Sequence, residues 1–545
     1  MFETTRIEPN YGVCADGSQD IHPQWLVFDI IPAPLAAVLM FHLRMVGAEQ
    51  FAAIREHFLQ TGFGEQVVRE RFGFKPDEPL NLVPICTQPA PKQKMESSLD
   101  AIIHLFLVGE SLPTAEAEAL FPAKVWEALV QSELILVESA ETSRCLGSVA
   151  MFPVRGLFCV ADRWTNIDHT VRQPFPDIVY PPMTKSVKEF LDYTSFEPCE
   201  DFLEVCAGTA PAALLAAKNA KNVWATDITE RSLAFAEFNA ALNGIQNVKF
   251  GKGDLFQPVA GLKFDRIAAH PPYMPVMKTA EIFAGGGQLG EHFTKRIVSE
   301  LHPMLKPGGR LYCRTLGLDR NNKSFEQTVR EWLGEKQAEF DVSVFVIGTV
   351  MANRFALEDA LRHEAGTDGA KLWEKLFEAN GVRELLNCEL VIQLQREKRP
   401  PFTLRRTMPT DAPVAAVTME WLMAWEPQVR TRSMLESMLE SKPVATPGTE
   451  VTIRQVLRDS ELVPEDFRIS LKKPFELDCK VQPWMTLLLP SCNGKKTVLE
   501  LHELCKQNEW IAPDTPVLEF CGLLATLISG GFLQTEKIKW PAGAK

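Results

Sequence analysis

Between Phe202 and Pro275 the chain reads FLEVCAGTAPAALLAAKNAKNVWATDITERSLAFAEFNAALNGIQNVKFGKGDLFQPVAGLKFDRIAAHPPYMP, and few folds accommodate that order. An apolar strand carrying Glu204 leads into the tight turn Ala207-Gly208-Thr209-Ala210 and a helix of small residues. A second strand ends in Asp227, a third precedes Asp254, and a fourth runs straight into His270-Pro271-Pro272-Tyr273. Strands alternating with helical segments predict a parallel α/β sheet. Polar tips gathered at one edge of such a sheet predict a nucleotide-type site.

Each tip has a bland reading beside the chemical one. A Gly at position 208 lets backbone approach a ligand with no Cβ in the way, although a ligand-free strand-to-helix turn looks the same. Asp227 lies 19 residues beyond Gly208, where a carboxylate can accept from both hydroxyls of a ribose. It can also cap the helix that follows. Asp254 suits either a ligand contact or a surface turn. The Pro271-Pro272 pair holds an extended backbone that aims its flanking side chains.

In this order the tips resemble the S-adenosylmethionine-dependent methyltransferases with a Rossmann-like fold. The Pro-Pro-Tyr ending resembles their Asn-Pro-Pro-Tyr branch, which methylates planar amino groups. The chain is similar to bacterial release-factor glutamine methyltransferase-like proteins over 160–350, including Val160-Ala161-Asp162, less so over 95–160, and weakly after 400. The resemblance implies S-adenosyl-L-methionine as cofactor, held by Glu204, Ala207, Gly208, Asp227, Ile228, Asp254, Leu255 and His270. Asp254 would accept from the adenine amino group and Leu255 would pack on its ring. His270 and Tyr273 become the catalytic pair, with Pro271, Pro272 and Tyr273 against the methyl acceptor.

Two departures from the family pattern matter. Of its three glycines only Gly208 is kept, with Cys206 and Ala210 in the flanking positions. His270 stands where the family has Asn or Asp. An imidazole cannot offer the same carbonyl, and an ordinary pKa near 6.5 suits it to general-base work. The same change would also accompany loss of catalysis. The Gly-rich run Gly285–Gly290 matches the branch as an expected mobile lid.

Length and composition set the surroundings. A chain of 545 residues is too long for one core. We expect an N-terminal helical, winged-helix-like domain over 1–160, a seven-stranded Rossmann-like α/β methyltransferase domain over 161–398, and a winged-helix-like α+β domain over 399–545. A plain helical bundle would give the same N-terminal pattern. In the last segment FRISL and WMTLLL read as strands, followed by two helices, while 400–450 is poorly patterned. The net charge of −13 gives no general attraction to phosphate backbones, so nucleic acid is not the expected partner.

The acceptor is expected to be a protein side chain or a small molecule, methylated on nitrogen or another heteroatom. A small-metabolite enzyme with a pocket closed by the flanking domains is the alternative, as is a non-catalytic scaffold. Twelve cysteines with no C-x-x-C pair predict reduced thiols and a cytoplasmic setting. No Cys/His cluster has metal-ligand spacing, and no apolar run reaches the ~18 residues of a membrane span. The N-terminus lacks the charged and apolar regions of a secretory signal. Oligomeric state is left open.

Overall fold

The computed structural model describes residues 43–75, 80, 85, 95–138, 143–163, 176–276, 282, 285–362, 366–409, 415–429 and 431–535. The helical reading of 24–42 and most of the Pro-rich break at 84–94 lie outside these residues.

Near-continuous buried runs form the inner strands of the central sheet, as strands covered on both faces require. β1 (Cys199–Val205) is followed by β2 (Ala220–Asp227), β3 (Val248–Lys252), β4 (Phe264–Ala269), β5 (Leu305–Arg320), β6 (Phe340–Met351), β7 (Val382–Leu394) and β8 (Thr403–Thr407). Their order across the sheet is β8-β6-β7-β5-β4-β1-β2-β3. β7 runs antiparallel to both neighbours, and every other pairing is parallel. The chain steps outward from β1 to β3 and then crosses back to β4. That reversal creates a switch point between β1 and β4.

The sheet has one strand more than the seven expected. Thr403–Thr407 lies beyond the boundary placed at 398 and pairs with β6. Its sequence TLRRT, with one apolar residue in five, suits an edge strand and hides it from a search for apolar runs.

Helices cover both faces. They are α1 (Lys185–Tyr193), α2 (Pro211–Ala216), α3 (Glu230–Leu242), α4 (His292–Ser299), α5 (Phe325–Trp332) and α6 (Ala415–Gln428). On one face Ile297 and Val298 of α4 and Phe325 and Val329 of α5 join Val205, Ile267, Leu311 and Val344. On the other, Tyr193 of α1 and Met419, Leu422 and Met423 of α6 join Tyr312, Phe345 and Val391. This second core runs on into the helices Val498–Gln507 and Val517–Ser529 through Leu501, Phe520 and Leu524. The C-terminal segment thus shares a core with the sheet. Polar ties reinforce it. Arg310 and Tyr312 of β5 both donate to Glu420 of α6. Arg405 of β8 donates to both oxygens of Asp319, at 2.6 and 2.8 Å.

The run WMTLLL, expected as a strand, folds as the helix Pro483–Leu488, with Pro483 in its first turn. Proline suits that position because the first helical N–H has no partner to lose. Residues 98–147 run helix, strand, helix, helix, strand, strand, ending in Arg144–Gly147. The strand Leu157–Ala161 is bound to α3 through side-chain amides. Asn239 accepts from Val160 N (2.7 Å) and donates to its carbonyl (3.2 Å). Asn243 does the same at Phe158, at 2.9 and 2.7 Å. Asn239 also donates to Thr209 O (3.3 Å), in the turn after β1.

Candidate active site

A cavity of about 440 Å³ opens at the carboxyl ends of β1, β2 and β4, over the switch point. β1 and its turn contribute Glu204, Ala207 and Gly208. β2 contributes Asp227 and Ile228, the loop after β3 contributes Asp254 and Leu255, and the loop after β4 contributes His270, Pro271, Pro272 and Tyr273. Every residue expected at the cofactor or the acceptor therefore lines one cavity. The remaining wall comes from α1 and the segment before it, with Tyr180, Ser186, Val187 and Phe190, and from α4, with Phe293 and Arg296. Among the described residues, nothing after Arg296 or before Asp177 lines it. In the alternative reading the flanking domains close the pocket; among the described residues this wall comes from the segment 177–190.

The turn after β1 keeps the conformation that three glycines would give it. Cys206, Gly208 and Ala210 have φ of 56°, 54° and 57°, left-handed values that cost a non-glycine residue roughly 1–2 kcal/mol each. A Cβ at Gly208 would meet no atom within 4 Å, so it would stand in the open cavity. Beneath the turn, Glu204 is buried and accepts from Ala213 N (2.6 Å). Burial pushes its carboxyl up to about 8, against the pull of the Ala213 and Ala212 N–H groups, and the nearby Asp227 charge adds to the rise.

Asp227 faces the cavity, and the cap of α3 is Thr229, whose hydroxyl oxygen accepts from Ser232 N (3.1 Å). One carboxylate oxygen accepts from Gly208 N (2.9 Å), the other from Thr229 N (3.0 Å) and its hydroxyl (3.2 Å). A carboxylate has about four acceptor sites, so capacity remains on the cavity side. Asp254 is also engaged: Arg296 of α4 donates to both its oxygens, at 3.1 and 2.8 Å. Arg296 escaped sequence reading because its partner lies 42 residues away.

His270 and Tyr273 stand together, with rings 20° apart in plane and 5.6 Å between centroids. The Phe190 ring lies 5.2 Å from His270 on the other side. Both His270 and Tyr273 are half-buried and face the cavity. Burial, with the Arg314 guanidinium adding to it, pushes the imidazole down to about 3. Such a ring can accept a hydrogen bond at neutral pH, and as a base it would be weaker than an imidazole titrating near 6.5. His270 is an uncharged hydrogen-bonding ring at neutral pH. The Gly-rich run packs closely on Tyr273. A Cβ at Gly290 would overlap the Tyr273 carbonyl oxygen, and one at Gly286 would stand 2.7 Å from Tyr273 Cα. Glycine is needed there because another backbone lies against it.

With this geometry in view, a family model described as "Methyltransferase domain" matches residues 198–381. Residues 198–381 are thus an S-adenosylmethionine-dependent methyltransferase domain with a Rossmann-like fold. The release factor glutamine methyltransferase of Clostridium acetobutylicum is 33% identical over 174 residues, 29% of this chain and 59% of that protein. That of Thermodesulfovibrio yellowstonii is 32% identical over 123 residues, 20% of this chain and 44% of that protein. The ribosomal protein uL3 glutamine methyltransferase of Bradyrhizobium diazoefficiens is 29% identical over 157 residues, covering 26% and 49%. The chain spans about half the length of the curated relatives it matches. Among the described residues, no helix is long and apolar enough to cross a membrane, and no cluster of three metal-ligating side chains is present.

Proposed function

We propose that this chain transfers a methyl group from S-adenosylmethionine to a nitrogen on a protein side chain. One observation carries the reading: a single cavity over the sheet's switch point joins the open Gly208 turn and Asp227 to His270-Pro271-Pro272-Tyr273. The first pair fits the cofactor, the second the acceptor. Relatives named for glutamine methylation of a release factor and a ribosomal protein support a protein acceptor.

When bound, S-adenosylmethionine supplies a methyl group on a positively charged sulfur. The protein's residues do the rest by holding and shielding. The spare acceptor capacity of Asp227 would take ribose hydroxyls, and Gly208 would admit the ligand against bare backbone. Leu255, buried in the wall, would pack on the adenine, with Asp254 at its amino group and Glu204 and Ala207 shaping the turn. Pro271 and Pro272 fix the loop, and His270 accepts one hydrogen bond from the acceptor's N–H. Tyr273 packs against the acceptor, while Phe190 and Tyr180 exclude water.

A small-molecule acceptor is the second reading, favoured by the wall of Tyr180, Val187 and Phe190 over the cavity. The helix–strand–helix–helix–strand–strand order of 98–147 supports a winged-helix-like N-terminal module. Incubation with methyl-labelled S-adenosylmethionine and fractionated lysate tests both acceptor classes. Label in protein that is lost in Asp227→Ala supports the first reading, label in small molecules supports the second, and no label with either pool contradicts catalysis.

A further inference from the structure

Behind the acceptor end of the cavity lies a set of buried charges for which methyl transfer has no direct use. Arg314, in the middle of β5, is 1% exposed. One of its Nη groups donates to Glu189 of α1. Its Nε and other Nη have no partner among the described residues. Directly across the ladder, Glu389 of β7 is the register partner of Arg314. It is fully buried, and neither of its oxygens has a partner among the described residues. A buried cation with open donors beside a buried acid is costly, and an apolar filling of the same space is often at least as stable. Such groups are better suited to fixing one arrangement of their neighbours than to adding stability.

The neighbour fixed here is α1. Ser186, Val187 and Phe190 of this helix wall the cavity, and Glu189 projects from it to the sheet. Its other charges are engaged elsewhere: Lys188 and Arg155 both pair with Asp192. Lys185 also approaches Glu189, at 3.8 Å, but is 70% exposed. One residue beyond Glu189, the Phe190 ring rests against His270, which stacks on Tyr273. The ion pair and the ring contact are thus adjacent points at which α1 is held to the site.

We propose that Arg314 is a positioning residue for the acceptor end of the site: its pair with Glu189 seats α1, and through Phe190 sets the orientation of the His270 ring. The role rests on the acceptor-side reading of His270 given above. Arg314 does not itself line the cavity.

The test uses the full chain labelled with ¹³C-histidine, which carries ten imidazoles. The His270 ring signal is assigned by its absence in His270→Asn, and S-adenosylhomocysteine affinity is measured in parallel by calorimetry. Glu189→Gln should shift and broaden the His270 signal, leave the other signals in place, and change S-adenosylhomocysteine affinity by less than about threefold. Arg314→Lys, which keeps the charge but reaches Glu189 by a single contact, should give a smaller shift of the same sign. An unmoved His270 signal in Glu189→Gln would overturn the proposal, as would general movement of all the histidine signals. Glu189→Gln removes one charge and almost no side-chain volume, so the test stands even where Arg314→Lys does not fold. Failure of the wild type to bind S-adenosylhomocysteine would overturn the cofactor reading, while the His270 signal would still decide this one.

Discussion

At the scale of single residues, the site separates groups that carry conformation from groups that meet ligand. Gly208 does both, and a methyl added there distinguishes them. Gly208→Ala meets no protein atom, so its stability cost should be only the roughly 1–2 kcal/mol of a left-handed alanine. The same methyl enters the cavity, so S-adenosylhomocysteine affinity should fall by more than about tenfold. A binding curve like that of wild type would remove the turn from the cofactor site.

His270 makes a signed pH prediction. An imidazole held down to about 3 stays neutral in the folded protein while the unfolded chain takes up a proton near 6.5. Its contribution to stability is therefore complete above pH 6.5 and is lost as pH falls toward 3. Urea midpoints measured between pH 7 and 5 should drop more steeply for wild type than for His270→Asn. Parallel slopes would show that the ring is not held neutral.

Among elements, the short motifs were legible and the pairings between distant elements were not. Strand-tip residues such as Asp227 and His270 could be read because chemistry and chain position coincide there. The Asp254–Arg296 and Glu189–Arg314 pairs join residues 42 and 125 apart, and nothing local marks them. The left-handed φ of Cys206 and Ala210 was equally hidden, because those residue types do not ask for it. WMTLLL was misread because a short apolar run has no period that separates strand from buried helix. α6 went unread because AAVTMEWLMAWEPQ carries apolar residues on most sides, which weakens the amphipathic signal.

The close packing between the Gly-rich run and Tyr273 gives this scale its prediction. Gly290→Ala would force the Tyr273 backbone away, and Gly290 is itself at φ 79°. Activity should fall with little change in S-adenosylhomocysteine affinity, since the turn after β1 is untouched. A parallel loss of both would place the glycine's role in general folding.

For the whole molecule, the boundary expected at 398 cuts through the sheet's far edge. β8, α6 and the helices beyond them complete the face that holds Tyr312, Phe345 and Val391. Asp341, wholly buried on β6, takes its charged partner from Arg399. A chain ending at Lys398 would leave that carboxylate unpaired and that face open to water. It should be recovered as aggregate or show a broad, non-cooperative thermal transition by circular dichroism. A soluble fragment with a sharp transition would show that the sheet stands without the C-terminal segment.

The cavity between Gly208 and Tyr273 is proposed to receive S-adenosylmethionine, with Asp227 at its ribose. Calorimetric titration of the full chain with S-adenosylhomocysteine, wild type against Asp227→Ala, tests it most directly. Saturable one-site binding by wild type is predicted, with a loss of about 2–4 kcal/mol in the variant for the charge-assisted bonds removed. Binding of equal strength in both forms, or no binding by wild type, would contradict it.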